Sequence, residues 1–432
     1  MRSLFGKSRL LVAAAILLGS TSAFASGFAI FEQGAKATEM GGAFAATADD
    51  PSAIFFNVAG IAQQRRTEIM FGGTLINFQN QFTGDPNDIF TSGTTGKYRA
   101  HTFFPPNAYL VVPVGKQITF GVGVMTPFGL RTNWENPWVG RFVSKDANIK
   151  TVSVQPSLAW QTADGRLAIG GGIEYRRSKV VLSRNAVAPT VNPFTGRFPD
   201  VASTYLTSDW KSKTGWNAGL IFRPGTWRVG VSYRAKMAVN FNGNVTVTQI
   251  LTGVPAVDQT VAASLPPSQP VSTTINMPSF AHVAIGTSAF QNWDVEFDIV
   301  HTTWSDFKNL TVNFATTPTA SFTRPQNWKN ANSYRIGGNR KVTDDWDIRL
   351  GALYDKNPQP VEAVSPLLPD ADRLGASFGV GWHRGPWVLD LTEFALHFKK
   401  RSTNGQADPL TNINGTYKTD ANLVSVNFGY KF

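Results

Sequence analysis

The side chains best equipped for acid–base chemistry are few in this chain and badly spaced for it. Its five histidines, His101, His282, His301, His383 and His397, fall at no metal-ligand interval, and no Gly-x-Ser-x-Gly elbow occurs. With no cysteine, a thiol nucleophile, a zinc-thiolate site, an iron–sulfur cluster and a disulfide framework are all ruled out. A lipid hydrolase could place a Ser and a His without a motif, but no spacing here points to one. The expectation is a protein that is not an enzyme and that uses no cofactor and no metal.

The charged residues have a different pattern. Asp294, Glu296 and Asp298 alternate with Trp293, Val295, Phe297 and Ile299; Asp347 and Arg349 alternate with Trp346, Ile348 and Leu350; Arg228 and Arg234 alternate with Trp227, Val229, Val231 and Tyr233. Charge on one face and apolar or aromatic residues on the other, at a period of two, is the signature of a strand with two unlike surroundings. Buried charges need partners, so Asp294, Glu296, Asp298, Arg228, Arg234, Arg335, Asp347 and Arg349 read as an ion network lining an interior.

The elements that carry this alternation recur along the chain. Val424, Val426, Phe428, Tyr430 and Phe432 alternate with Ser425, Asn427, Gly429 and Lys431, which gives one apolar face ending in aromatics. Strands are expected near 67–82, 102–114, 117–127, 148–162, 166–184, 204–222, 226–242, 272–290, 292–306, 330–342, 345–356, 373–384, 386–400 and 416–432. Fourteen is an even number, and short and long connections alternate between them, as in outer-membrane barrels. The long ones, near 83–101, 128–147, 185–203, 243–271, 307–329, 357–372 and 401–415, would all face outward. Two of them, 185–203 with Val187, Val191, Phe194 and Phe198, and 243–271 with Ile250, Leu251, Val254, Val257, Val261 and Leu265, are apolar enough to expect a partner.

Compartment follows from residues 1–25. Arg2, Lys7 and Arg9 precede the short apolar run Leu10 to Leu18, and Ala23-Phe24-Ala25 fits a signal-peptide cleavage site. No apolar run is long enough for a spanning helix, so an exported chain of this kind crosses a membrane as strands. The net charge of +11 is dispersed along the sequence. In an exported protein, lipid and lipopolysaccharide phosphates are therefore expected partners, and nucleic acid is not. Residues 26–66 show no alternation and are too apolar for a disordered leader. With a helix-competent stretch from Ser52 to Ala62, they read as a compact plug, leaving 67–432 as the barrel.

The stretches Gly27-Phe28-Ala29-Ile30-Phe31-Glu32-Gln33, Met40-Gly41-Gly42-Ala43 and Ala48-Asp49-Asp50-Pro51-Ser52-Ala53-Ile54-Phe55-Phe56-Asn57-Val58-Ala59-Gly60-Ile61 resemble the hatch of FadL-type outer-membrane transporters of long-chain fatty acids and aromatic hydrocarbons. The resemblance continues through Gly121-Val122-Gly123, Pro127-Phe128-Gly129-Leu130, Thr303-Trp304-Ser305-Asp306-Phe307, Tyr334-Arg335-Ile336-Gly337-Gly338 and Leu368-Pro369-Asp370-Ala371-Asp372-Arg373. The family's Asn-Pro-Ala hatch motif reads Asn57-Val58-Ala59 here, so a fixed φ is missing at that corner.

The resemblance implies a fourteen-stranded antiparallel transmembrane β-barrel plugged by a small N-terminal hatch. It would be a monomer in the bacterial outer membrane, taking up hydrophobic molecules passively. Capture among the outer loops, an interior pocket at the hatch N-terminus and lateral exit at a kinked third strand are implied with it. Phe28 matches the family's hatch aromatic, and Lys179 and Lys329 match approximately its ligand-binding cations. Gly121, Gly123 and Pro127 match the kinked strand, where Gly weakens pairing and Pro removes a donor. Long-chain fatty acid is the first expected substrate. Monoaromatic hydrocarbon uptake and a non-specific porin or surface-structural barrel are the alternatives.

Overall fold

A computed structural model describes residues 27–99, 102–187, 199–407 and 413–432. The expected signal peptide, His101 and the loop residues Val191, Phe194 and Phe198 lie outside the described residues.

Antiparallel strands close on themselves in sequence order. They are β1 (Glu68–Gly84), β2 (Pro106–Pro113), β3 (Ile118–Met125), β4 (Gly129–Asn133), β5 (Asp146–Gln161), β6 (Leu167–Val187), β7 (Asp200–Ser208), β8 (Lys211–Phe222) and β9 (Trp227–Arg234). There follow β10 (Met237–Gln249), β11 (Gln269–Met277), β12 (Phe280–Phe290), β13 (Trp293–Thr302), β14 (Ala331–Lys341), β15 (Trp346–Asp355), β16 (Arg373–Arg384), β17 (Trp387–Phe398) and β18 (Gly415–Lys431). β3 with β4, β7 with β8, β9 with β10 and β11 with β12 each make a single crossing, so the wall has fourteen. The ring closes where β18 pairs with β1 from Glu68↔Lys431 to Gly84↔Gly415.

Alternation decides which side chain faces where. Outward residues are large and apolar: Phe71, Leu75, Leu158, Trp160, Ile173, Trp216 and Leu220 are all exposed. Inward residues are polar or charged and buried, among them Glu174, Arg176, Arg234, Glu296, Asp298, Arg335 and Arg349. This inverts the order of a water-soluble protein and suits a wall with lipid outside. Tight turns at one end need left-handed backbone, supplied by Gly165 (φ 69°) after β5 and Gly385 (φ 60°) after β16.

Three spans expected to be continuous are interrupted. The breaks fall at Asp209-Trp210, Ala235-Lys236 and Pro278-Ser279, the last at a proline that cannot donate to the ladder. The strand expected over 102–114 contributes only β2 to the wall; Thr102 and Phe103 pair separately with Asn77 and Ile76.

Residues before β1 hold α1 (Ala35–Glu39), α2 (Ala53–Phe56) and a 3₁₀ turn, Val58–Gln63. The single helix expected from Ser52 to Ala62 is thus split at Asn57, which is extended (φ −155°, ψ 102°). The Asn57 side chain accepts from Ala59 N and donates to the carbonyls of Ala45 (2.7 Å) and Leu220 (3.1 Å). Those bonds fix the corner between Asn57 and Val58.

The inward charges grip this N-terminal segment from many sides. Asp298 accepts from the amides of Phe44 and Ala45, and Glu296 from those of Ala46 and Thr47. Arg349 bonds Glu39 and Asp390, each at 2.5 Å, and Asp347 at 3.1 Å. Arg234 pairs with Glu174 and donates to Phe55 O, while Arg228 pairs with Asp294. The expected network is present, and it recruits Glu39, Glu174, Arg176 and Asp390, which were not anticipated.

Candidate functional site: an apolar cavity and a break in the wall

Phe28 lies at the centre of an aromatic cage. Its ring centroid is 4.7 Å from Trp304, 5.9 Å from Phe128, 6.0 Å from Phe307 and 6.3 Å from Trp328. A cavity of about 130 Å³ lies on one side, lined by Ile30, Ile76, Phe78, Leu130, Leu396 and Phe398 among others. A second, of about 60 Å³, is lined by Ile149, Val180, Leu182, Ile275 and Leu310. Phe28, Leu130 and Leu368 border both, so the Phe28 ring stands between two apolar chambers.

The larger chamber carries charge on one side. Arg131 lines it but is paired with Asp146 at 3.1 Å, and Arg373 is paired with Asp355 at 2.6 Å. Arg99 also lines it, is exposed, and forms no ion pair among the described residues. Asp370, in the loop before β16, accepts from the Gly27 amide at 3.2 Å; burial pushes its carboxyl up to about 7, partly offset by Arg373.

The two expected lysines are elsewhere. Val180 and Leu182 line the smaller chamber, so alternation turns Lys179 to the outer face of β6. Lys329 is exposed beside buried Trp328 and lines neither chamber. Arg99 was missed because it sits in a connection with no periodicity to give its direction.

The wall breaks next to this cavity. β5 pairs with β3 up to Ser153↔Met125 and with β4 from Lys150↔Gly129, leaving Thr126–Phe128 out of the ladder. The glycines are not the cause: Gly121 and Gly123 are paired on both sides, with Val111 and Ser157 and with Tyr109 and Gln155. They face inward, and a Cβ on either would come within 2.9 Å of Ile54 of α2, so they make room for the N-terminal segment. Pro127 does lie in the break. The backbone groups it frees are taken up by that same segment: Ile30 N donates to Pro127 O (3.0 Å) and Gly129 N to Phe28 O (3.0 Å). The Gln33 side chain donates to Thr126 O (2.8 Å) and accepts from Thr126 N (3.0 Å).

Among the outer connections, Pro255–Ser264 forms α3, which buries none of its residues; Leu251 and Val254 beside it are exposed.

A closed antiparallel barrel with lipid-type outer faces, an internal segment and a caged apolar cavity defines an outer-membrane channel for hydrophobic compounds. The family profile described as Outer membrane protein transport protein (OMPP1/FadL/TodX) matches residues 16–432, and the chain belongs to that family. It is 25% identical to the long-chain fatty acid transport protein of Escherichia coli O6:H1, covering 100% of this chain and 99% of that one. A 47 kDa outer membrane protein of Pasteurella multocida is likewise 25% identical, over 100% and 99% of the two chains. Among solved structures, a Pseudomonas aeruginosa FadL homologue superposes with a TM-score of 0.80 at 21% identity, covering 94% of this chain and 100% of that one. The Pseudomonas putida toluene transporter TodX has the same fold, with a TM-score of 0.72 at 14% identity over 93% and 99%. The protein resides in the bacterial outer membrane.

Proposed function

We propose that this channel takes up long-chain fatty acids passively, with residues 26–66 acting as a hatch within a monomeric barrel. The observation that carries this is Arg99, which among the described residues has no ionic partner and stands on the margin of a chamber whose other basic residues, Arg131 and Arg373, are already ion-paired. A carboxylate with a long hydrocarbon tail satisfies both parts at once. In this reading the ligand is captured at the outer loops, where the exposed α3 stands, and enters the chamber against Phe28. It leaves sideways at Thr126–Phe128 once the segment Phe28–Ile30 lets go of the break. Lateral exit spares an apolar solute a charged route through the Glu296, Asp298 and Arg349 network.

A second reading, monoaromatic hydrocarbon uptake, is favoured by the cage of Phe128, Trp304, Phe307 and Trp328 around Phe28, which offers edges and faces to a flat ring. Uptake of labelled oleate and toluene by cells with and without the protein separates the two. The fatty acid reading expects oleate uptake that Arg99→Gln lowers while toluene entry stays unchanged. Toluene uptake alone would overturn it, and large stable ion currents in planar bilayers would support an open porin instead.

A further inference from the structure

On the outer wall, Lys150 of β5 and Lys179 of β6 are directly opposite each other in the ladder. Both lie on the lipid-facing side, since their neighbours Ile149 and Val180 line the interior chamber. Side chains so placed have Cβ atoms ~5 Å apart, and like charges there repel. Arg177, two residues from Lys179 and exposed on the same face, adds a third cation and stacks on Trp210 at 5.6 Å. Neither lysine nor Arg177 forms an ion pair among the described residues. Two carboxylates of this region are already engaged, Asp146 of β5 by Arg131 and Asp209, between β7 and β8, by Lys211. Three cations thus crowd one patch, none of them ion-paired among the described residues.

Depth identifies what covers the patch. The rung Trp160↔Ile169, near the short-turn end, lies ten residues from Lys150↔Lys179 along the same two strands. At ~3.3 Å per residue and a tilt of about 40°, that is roughly 25 Å, the height of the apolar band of an outer-membrane barrel. Between the rungs, below Arg177, the outward residues Val152, Val154, Leu158, Ile173 and Tyr175 are apolar or aromatic. The lysines therefore sit one hydrocarbon thickness above the inner rim, where the headgroups of the outer leaflet begin.

We infer that Lys150, Lys179 and Arg177 form a binding site for the phosphorylated glucosamine headgroup of outer-leaflet lipopolysaccharide. The Tyr175 hydroxyl, which donates to Ser212 Oγ at 2.6 Å, and the Trp210 indole border it at headgroup level. Phosphate supplies the negative charge that the wall lacks, and its acyl chains lie against the apolar residues below.

The test is native mass spectrometry of the purified full-length mature protein in detergent, titrated with bisphosphorylated lipid A. Monophosphorylated lipid A and phosphatidylethanolamine serve as comparison lipids. Wild type is expected to retain lipid A, more weakly when one phosphate is absent. Lys150→Gln with Lys179→Gln is expected to weaken retention about thirtyfold, at roughly fivefold per lysine, with phosphatidylethanolamine unaffected. Lys116→Gln, at the opposite end of the wall, is expected to behave as wild type. Heat-modifiable migration on gels shows that each variant barrel has folded. Equal retention by wild type and the double variant, or retention indifferent to phosphate number, would overturn the site. So would loss of oleate uptake in Lys179→Gln with lipid A binding intact, because it would return Lys179 to the substrate path.

Discussion

The amide of Ile30 donates to the carbonyl of Pro127 at 3.0 Å, so a break in the barrel wall is closed by the chain's own N-terminal segment. Pro127 cannot donate to a ladder, and Thr126–Phe128 lie where β3 has ended and β4 has not begun. Gln33 holds both polar backbone groups of Thr126, and Thr151 Oγ1 exchanges hydrogen bonds with Phe128. The opening and its stopper are thus hydrogen-bonded as one unit.

Gln33→Leu removes both bonds to Thr126 and leaves a buried amide and carbonyl without partners. Each such group costs ~1–3 kcal/mol. Amide hydrogen exchange at Thr126 and over Phe28–Gln33 is expected to accelerate at least tenfold while exchange in β5 stays slow. Unchanged protection would mean that the segment is held by something other than this side chain.

Phe28→Ala joins the two chambers and removes the centre of the cage. Loss of a buried phenyl contact, worth ~1.5–3 kcal/mol, is expected to weaken oleate binding by about tenfold or more, measured by displacement of a fluorescent fatty acid. Unchanged binding and uptake would remove Phe28 from the ligand path.

Arg349 meets three carboxylates, those of Glu39, Asp347 and Asp390. Arg349→Leu leaves them facing one another without a cation, a loss of ~3–5 kcal/mol where a buried pair is broken. Because Glu39 belongs to α1 and the other two to the wall, the N-terminal segment is expected to loosen while the barrel persists. Planar-bilayer conductance should rise from near zero to resolvable openings. A silent channel would show that the remaining contacts suffice.

Asp370 faces the chamber with its carboxyl raised to about 7 from 3.8 by burial. A raised carboxyl pKa means that the folded state binds more protons than the unfolded one. Stability is therefore fully present at low pH and falls as pH rises from about 4 towards 7. Over the upper part of that window the chamber also gains a negative charge. Binding of an alkyl sulfonate, which stays ionised throughout, is expected to weaken between pH 6 and 8, and Asp370→Asn should flatten the dependence. A pH profile identical in the variant would rule out Asp370 as its source.

Much of the wall was legible because a strand between lipid and lumen writes both environments into alternate residues. Trp293 to Ile299 and Trp346 to Leu350 read correctly, as did the charges they carry. The interruptions at Asp209-Trp210 and Ala235-Lys236 were not, since a local break leaves the flanking periodicity almost intact. Lys179 was misplaced for a related reason. Its residue type suits a carboxylate, but its parity follows that of Tyr175 and Arg177 on the outside, opposite to Glu174 and Arg176. The glycines of β3 looked like weak points in pairing, whereas their role lies in close approach to Ile54, a contact between residues far apart in sequence. Arg99 and the split at Asn57 depend on tertiary packing and left no periodic trace.

The ladder joining Glu68 to Lys431 and Gly84 to Gly415 has a consequence for how the molecule is born. Its two strands are the first and the last of the wall, so neither edge can be satisfied until the last strand has been made. Until then both margins are bare templates for pairing with any other chain. Phe432, whose amide donates to Thr67 O at 2.9 Å, is the last clasp in that seam. A nascent chain of this design must be kept apart from its siblings while it crosses the periplasm. Clipping its final strand would leave two adhesive margins instead of a shorter barrel.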